Sequence, residues 1–337
     1  MNRPNRCSTA SRRQFLALGP ASGLSMFLGA STVSAQPALS GTARVLCPTP
    51  AGSTVDVVAR RIAEAMKGHY AAQVVVENRP GAAGHLAINT LKMAAPDGST
   101  LLLAPNGVAT IHPYTYPKLS YDPAVDLQPV SIAAESDMAL AVGPAVPASV
   151  GNLAQLIDWM RRNPGQANVG SPGIGSIPHL LEAMLFRAAE VPWVHVVYPG
   201  GPPAAVDLMG GQIAALVLPL GIFRAHRAAG RLRVLATSGP GRSAHFPDVP
   251  NLVEEGYRGL IALEWFAFFL PRGAAPGTIE SAARAVRQSV RAPDVTAAFS
   301  EWGLTGASST PVELASRIAV EQRMWEPVVR SLGIRVE

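Results

Sequence analysis

Four short segments concentrate glycine, proline and small hydroxyl residues: 48–56, 78–84, 173–179 and 199–202. Each follows an extended apolar run and precedes a helical pattern. Glycine lets a backbone N–H point outward with no side chain in the way. A helix N-terminus adds free N–H donors and partial positive charge. Such loops can hold an anion without a buried Lys or Arg, and carboxylate oxygens suit them because bonds to a charged acceptor are the stronger ones. One loop of this kind is simply how an α/β fold turns a corner. Four of them, set at the carboxyl ends of strands, favour a ligand crevice.

Catalytic patterns are absent from the sequence. It contains no H-E-x-x-H, no G-x-S-x-G and no Walker-type loop. The run Gly170-Ser171-Pro172-Gly173-Ile174-Gly175 lacks the G-x-G-x-x-G order of a dinucleotide loop. The histidines His69, His85, His112, His179, His195, His226 and His245 show no metal-ligand spacing. No metal and no cofactor is therefore expected. Ser176 and His179 can mimic a nucleophile and its base, but an N-cap serine accounts for Ser176 without chemistry. His195 falls in an extended run and reads as a core histidine. Asp56 and Glu77 have no partner or spacing that marks acid–base work. Cys47, the one cysteine beyond the leader, ends a strand and reads as packing.

The elements that must position these loops alternate regularly. Residues 44–47, 73–77 and 100–104 read as strands, with helices over 54–69 and 86–95 between them. Val58, Ile62, Ala65 and Met66 share a helix face, and Ser53 with Asp56 resembles an N-cap pair. The pattern recurs: strands over 167–170, 194–198, 213–218 and 232–237, helices over 177–189 and 202–209. Two such β-loop-α sets predict two lobes, each a mainly parallel sheet flanked by helices. The apolar extended segments 130–142 and 263–270 read as strands crossing between lobes. Helices from Thr278 and Pro311 should return to the first lobe. Thr310-Pro311-Val312-Glu313 carries a capping Thr, Pro at the first helical position and Glu at the third. The predicted division is 1–35 leader, 36–135 first lobe, 136–262 second lobe and 263–337 first lobe again.

Bulk composition agrees with an exported globular protein. The chain has 337 residues, 48% hydrophobic and 15% charged, with a formal net charge of +5. Four of its 28 Lys and Arg residues, Arg3, Arg6, Arg12 and Arg13, lie before residue 36, leaving 24 against 23 Asp and Glu. The basic excess therefore belongs to the leader, and no Lys/Arg stripe with interleaved aromatics suggests nucleic acid. The leader itself has a polar basic start, Ser11-Arg12-Arg13-Gln14-Phe15-Leu16, an apolar run over 16–28 and Val33-Ser34-Ala35. This is a signal-peptide pattern with a cut expected after Ala35, and its paired arginines resemble a twin-arginine signal. The apolar run is shorter than the roughly 20 residues that span a bilayer. A periplasmic monomer, not embedded in the membrane, is the expectation.

Several stretches, in order, resemble one known family. They are Val57-Val58-Ala59-Arg60, Val74-Val75-Val76-Glu77-Asn78-Arg79-Pro80-Gly81-Ala82, Ala94-Ala95-Pro96-Asp97-Gly98 and Leu119-Ser120-Tyr121-Asp122-Pro123. Others are Gly175-Ser176 with His179-Leu180, His195-Val196-Val197-Tyr198 with Gly200, Asp207-Leu208-Met209-Gly210-Gly211-Gln212 and Phe246-Pro247-Asp248-Val249-Pro250. From about 44 to 336 the chain is similar to the extracytoplasmic receptors of tripartite tricarboxylate transporters, the Bordetella-uptake-gene (Bug) type.

The resemblance implies an α/β, two-lobed periplasmic-binding-protein type II fold that closes on a small organic carboxylate. It implies delivery to a membrane transporter or a sensor kinase rather than catalysis. Carried over, the ligand-binding residues are Gly52, Ser53, Thr54, Asn78, Gly84, Asn106 and Gly107 from one lobe. From the other they are Gly175, Ser176, His179, Tyr198, Gly200 and Pro202. Two departures stand out. The family's first loop usually reads Gly-Gly-Pro-Thr-Asp, where this chain has Gly52-Ser53-Thr54-Val55-Asp56. Leu218-Pro219 stands where the family often has an Asp that favours an amino group, so a ligand without an amine is expected. The competing readings are an exported α/β hydrolase and a sensory adaptor with no transporter.

Overall fold

The computed structural model describes residues 39–336. The predicted leader and its cleavage point lie outside the described residues.

The first β-loop-α series comprises β1 (Leu39–Cys47), α1 (Thr54–Met66), β2 (Ala71–Asn78), α2 (His85–Lys92) and β3 (Thr100–Pro105). Ser53 Oγ accepts the Asp56 N–H at 3.2 Å and starts α1. Val58, Ile62 and Met66 on its inner face are wholly buried. The helix stops before residue 69, short of the predicted end, because Gly68 at φ +78° turns the chain into β2. Three one-turn helices follow, α3 (Gly107–Thr110), α4 (His112–Thr115) and α5 (Pro123–Asp126), leading into the 16-residue strand β4 (Leu127–Val142).

The second series comprises α6 (Leu153–Arg162), β5 (Asn168–Ser171), α7 (Ile177–Ala188), β6 (Val194–Val197), α8 (Gly201–Met209), β7 (Ala215–Pro219), α9 (Gly221–Ala228) and β8 (Arg233–Thr237). The chain returns through β9 (Leu263–Pro271), α10 (Pro276–Val290), α11 (Pro293–Glu301), β10 (Thr305–Gly306) and α12 (Pro311–Leu332). The predicted capping box at Thr310 and Glu313 is present at the start of α12.

β4 belongs to two sheet regions. Its first part, up to Asp137, pairs antiparallel with β9, and Met138–Val142 pairs with β7 and β8. The first region runs β2-β1-β3-β9-β4 and the second β6-β5-β7-β4 with β8 on the far side of β4. Within each series the pairs β1–β2, β1–β3, β5–β6 and β5–β7 are parallel. The long strands add an antiparallel middle that alternation alone does not specify. Register shifts between Pro129 and Ser131, Ile132 and Ala134, and Leu140 and Ala141 bend β4 along its path.

β9 itself does not cross between the regions, contrary to the reading of 263–270. Among the described residues it pairs with β3 and the first part of β4 alone. The crossing is made just before it, where the Ala262 N–H bonds the Ser238 carbonyl at 3.1 Å. Phe266, Phe268 and Leu270 of β9 enter the core beside α1 and α10, while Trp265, Ala267 and Phe269 enter the core on the opposite face. That period of two on a strand buried on both sides explains the unbroken apolar run.

α12 differs from the prediction too. Leu314 near its start packs with Trp265 and Phe269 over the first region. Trp325 and Val329 near its end pack with Val169, Leu180 and Phe186 of the second. The helix therefore straps both regions together. Arg317 ties it to the crossing point, bonding Glu135 of β4 and lying 5.3 Å over the Trp265 ring. Glu321 accepts from Arg317 at 2.9 Å and from Trp265 Nε1 at 2.7 Å. Shared acceptors of this kind fix relative position more than they add stability.

Candidate functional site

In each region one strand has neighbours on both sides that continue the chain in opposite directions. β1 lies between β2 and β3, and β5 between β6 and β7. The loops leaving such a strand diverge, which opens a crevice at its carboxyl end. The loops after β1 and β5 face a common cavity of about 640 Å³, joined by those after β2, β3, β6 and β7.

Of the predicted residues, Ser53, Thr54, Gly84, Gly107, Ser176, Tyr198 and Gly200 line this cavity. Ser53 caps α1 and Ser176 caps α7, accepting the His179 N–H at 3.3 Å. Both hydroxyls are thus committed to the helix starts, and the backbone N–H groups they leave free are at Thr54, Val55 and Ile177. Among the described residues the buried Thr54 hydroxyl has no partner. A buried hydroxyl without a bond costs about 1–3 kcal/mol, so it is a place where a ligand oxygen is favoured.

The other predicted residues stand behind the lining. The Gly52 N–H bonds Asp56 Oδ2 at 3.0 Å. Asn78 Nδ2 donates to Asp56 Oδ1 at 2.7 Å and to the Thr49 carbonyl at 3.0 Å, tying the first two loops together. Burial opposes the Asp56 charge, but the bonds from Arg60, Gly52 and Asn78 outweigh it and hold the carboxyl below its usual range. Asn106 Nδ2 donates to the Leu263 carbonyl at 3.3 Å. Gly175 has φ +78°, and a Cβ there would lie 2.8 Å from Thr115 Oγ1 of α4. Pro202 sits in the first turn of α8.

The second loop is strained. Ala82 and Ala83 lie at φ +46° and +50°, a conformation alanine rarely adopts. Such residues persist where surrounding contacts over-determine them, and they cluster at ligand clamps. Both line the cavity.

Electrostatics come from dipoles rather than guanidinium groups. The ionisable lining consists of His85, His112, Tyr116, Lys118, Tyr198 and Glu264. Burial, then His85, pushes His112 down to about 3, and burial lowers His85, so both rings are neutral at pH 7. Tyr121 Oη donates to the Val108 carbonyl at 2.7 Å, so it accepts from His112 Nδ1 at 2.9 Å. Burial, then Asp207, holds the Tyr198 phenol up at about 12. Much of the remaining wall is aliphatic, with Val55, Val108, Ile174, Ile177, Leu218 and Ile222.

Sequence reasoning gave no role to His85, His112, Lys118 or Glu264. For Glu264 a signal existed: one acid in the otherwise apolar run Leu263–Pro271.

The arrangement does not assemble a nucleophile and base. Ser176 Oγ donates to the Gly173 carbonyl at 2.7 Å, and His179 Nδ1 accepts from the Gly175 N–H at 3.2 Å. Behind this loop His179, Glu182 and His195 place ligand-type atoms within 4.8 Å of one another. His195 lies on the edge strand β6 and is only partly buried, unlike the core position predicted for it. The His179 and His195 rings stack at 3.9 Å and 9°. A metal binds in the plane of each imidazole, and two parallel planes cannot share one ion. The His179 Nδ1 lone pair is also taken. Burial raises Glu182 well above its ordinary value and lowers His195 to about 4, which favours the neutral form of each, and His195 Nε2 lies 3.2 Å from Glu182 Oε1.

Residues 58–334 match the family described as the tripartite tricarboxylate transporter family receptor. The chain is 32% identical over 295 residues to Protein BugT of Bordetella pertussis, covering 87% of this chain and 90% of BugT. Among solved structures it is similar to a periplasmic transporter at 30% identity and TM-score 0.83, covering 88% of this chain and 99% of the other. An R. palustris protein solved with adipate matches at 27% identity and TM-score 0.82, over 87% and 98% of the two chains. MatC from Rhodopseudomonas palustris with bound malate matches at 27% identity and TM-score 0.78, over 86% and 98%.

Proposed function

The chain belongs to the tripartite tricarboxylate transporter receptor family, a family of solute-binding proteins rather than enzymes, and from that premise we propose that its cavity captures a small aliphatic carboxylate for a membrane transporter. The observation that carries this is the meeting of the α1, α7 and α8 N-termini at one cavity beside the unpartnered Thr54 hydroxyl. Free N–H groups there replace water around a carboxylate. The aliphatic wall suits the methylene spine of the ligand, and Leu218 and Pro219 offer no charge for an amine. Solved relatives at comparable similarity hold adipate and malate.

The two sheet regions act as lobes that close over the ligand, joined by β4, which passes from one to the other after Asp137, and by α12, which packs on both. Gly107 approaches the Gly175 carbonyl and Gly200 approaches Pro50 across the cavity, which is where closure is felt. Closure follows from differential affinity of the ligand for the closed state. The leader at 1–35, with its paired arginines, exports the protein to the periplasm. No helix among the described residues is long and apolar enough to cross a membrane.

A thermal-shift panel of mono- and dicarboxylates, their methyl esters, amino acids and neutral sugars tests this. A carboxylate at ~100 times its dissociation constant should stabilise the protein by roughly 2.7 kcal/mol. Stabilisation by sugars or amines with none by any carboxylate would refute it.

A further inference from the structure

The cavity contains one acidic group whose role the carboxylate reading does not supply. Glu264, the second residue of β9, lines it and is 7% exposed. Among the described residues no group hydrogen-bonds its carboxyl, which is unlike Asp56, Glu135 and Glu321, each held by an arginine or backbone donor. A carboxyl that lines a ligand cavity without a protein partner is open to a partner from the cavity.

An ionised Glu264 would select a cation. A neutral one would donate its proton to an oxygen. The surroundings decide between these. The charged groups on the elements around β9 are committed elsewhere. Glu135 of β4 bonds Arg317 of α12, which also holds Glu321. Asp137 of β4 is itself raised, by burial first, and faces Ser243 and His245. Across the cavity His85 and His112 are neutral at pH 7, and Lys118 makes no ion pair among the described residues. Burial alone acts on Glu264 and raises it to about 8. A carboxylate guest nearby disfavours a second negative charge still further.

We propose that Glu264 is a specificity-determining residue, donating a hydrogen bond from its neutral carboxyl to a ligand oxygen and rejecting ligands that place an ammonium there. The inference rests on the carboxylate reading and sharpens it: the ligand carries at least one more oxygen acceptor than the helix N-termini engage. No net transfer of the proton is involved. Above the free-state titration of Glu264, binding must take up a proton to restore the donor.

The test is isothermal titration of adipate, malate, aspartate and glutamate from about pH 6 to about pH 10, on wild type, Glu264→Gln and Glu264→Ala, with fold checked by thermal unfolding. For wild type with a bound dicarboxylate, the dissociation constant should be level at low pH and rise by about tenfold per pH unit above 8. Proton uptake should appear as a dependence of the binding heat on buffer. Glu264→Gln keeps a donor, so it should bind a few times more weakly, with the rise and the uptake removed. Glu264→Ala should weaken binding more at every pH. Lys118 is present in all three proteins, so a rise that survives in Glu264→Gln belongs to another group and overturns the proposal. So does affinity that tightens with pH, or preferential binding of aspartate or glutamate lost in Glu264→Gln. If no carboxylate binds wild type at any pH, the carboxylate reading fails along with this one.

Discussion

Replacing Gly200 with alanine should weaken ligand binding by forcing apart two loops that meet across the cavity. A Cβ at Gly200 would lie 3.0 Å from Pro50 Cδ and 3.2 Å from Cγ. Ordinary carbon contacts start near 3.5 Å, so one side must retreat by a few tenths of an ångström. Pro50 is a ring on the loop after β1, and Gly200 belongs to the loop after β6, so retreat means that the two loops move apart. Overpacking of this degree costs about 1–3 kcal/mol, which raises a dissociation constant roughly 5- to 150-fold. Gly200 also has φ +144°, and alanine there is strained. That strain is local to the backbone at residue 200 and should lower the melting temperature. Gly68→Ala separates the two effects, since Gly68 has φ +78° and nothing within 4 Å of its Cβ position. Both variants should melt earlier than wild type, and only Gly200→Ala should bind more weakly by titration calorimetry. Wild-type affinity in Gly200→Ala would refute closure of the Gly200 loop onto Pro50.

Thr54→Val removes a buried hydroxyl that has no partner. The ligand-free protein should gain up to about 1–3 kcal/mol in urea denaturation while carboxylate binding weakens by roughly tenfold or more; a less stable ligand-free variant would contradict this. His112 is neutral in the fold down to about 3, whereas an unfolded histidine titrates near 6.5, so the unfolded chain takes up the extra proton as pH falls. Stability should therefore drop by about 1.4 kcal/mol per pH unit below that ordinary value, and His112→Gln should flatten the slope by one proton. Glu264 acts in the opposite sense: raised to about 8, it contributes fully below 4.5 and its contribution is lost as pH rises to about 8. Gly143→Ala would place Cβ 2.0 Å from the Leu208 backbone oxygen and should cost at least about 3 kcal/mol, against almost nothing for Gly151→Ala, whose nearest neighbour is a side-chain atom at 3.7 Å.

Local signals made much of this fold legible. The cap at Ser53, the box at Thr310 and the apolar faces of α1 and α7 are properties of consecutive residues, and β1, β2, β3 and β5 follow from short apolar runs. α9 begins at Leu220 with no side-chain cap, and α11 follows α10 after only two residues, so neither stands apart in the sequence as a separate helix. α6 had a start signal in Asn152, whose side chain accepts the Gln155 N–H at 2.9 Å, but it links strands outside the four glycine-rich loops. Which strands pair is set by contacts far apart in sequence. The crossing by β4, the return just before β9 and the strapping by α12 therefore emerge only in three dimensions. The same holds for the site. Its loops are visible as clusters of glycine, proline and hydroxyls. That Asn78 braces Asp56 behind the lining, while Glu264 faces the cavity, depends on register and strand face.

The most direct measurement is a crystal structure with a bound dicarboxylate such as adipate. One carboxylate should lie within about 3 Å of the free N–H groups at Thr54, Val55 or Ile177 and of the Thr54 hydroxyl. A carboxylate seated instead in the surface groove beside Arg44 and Arg79, with those amides still facing water, would contradict it.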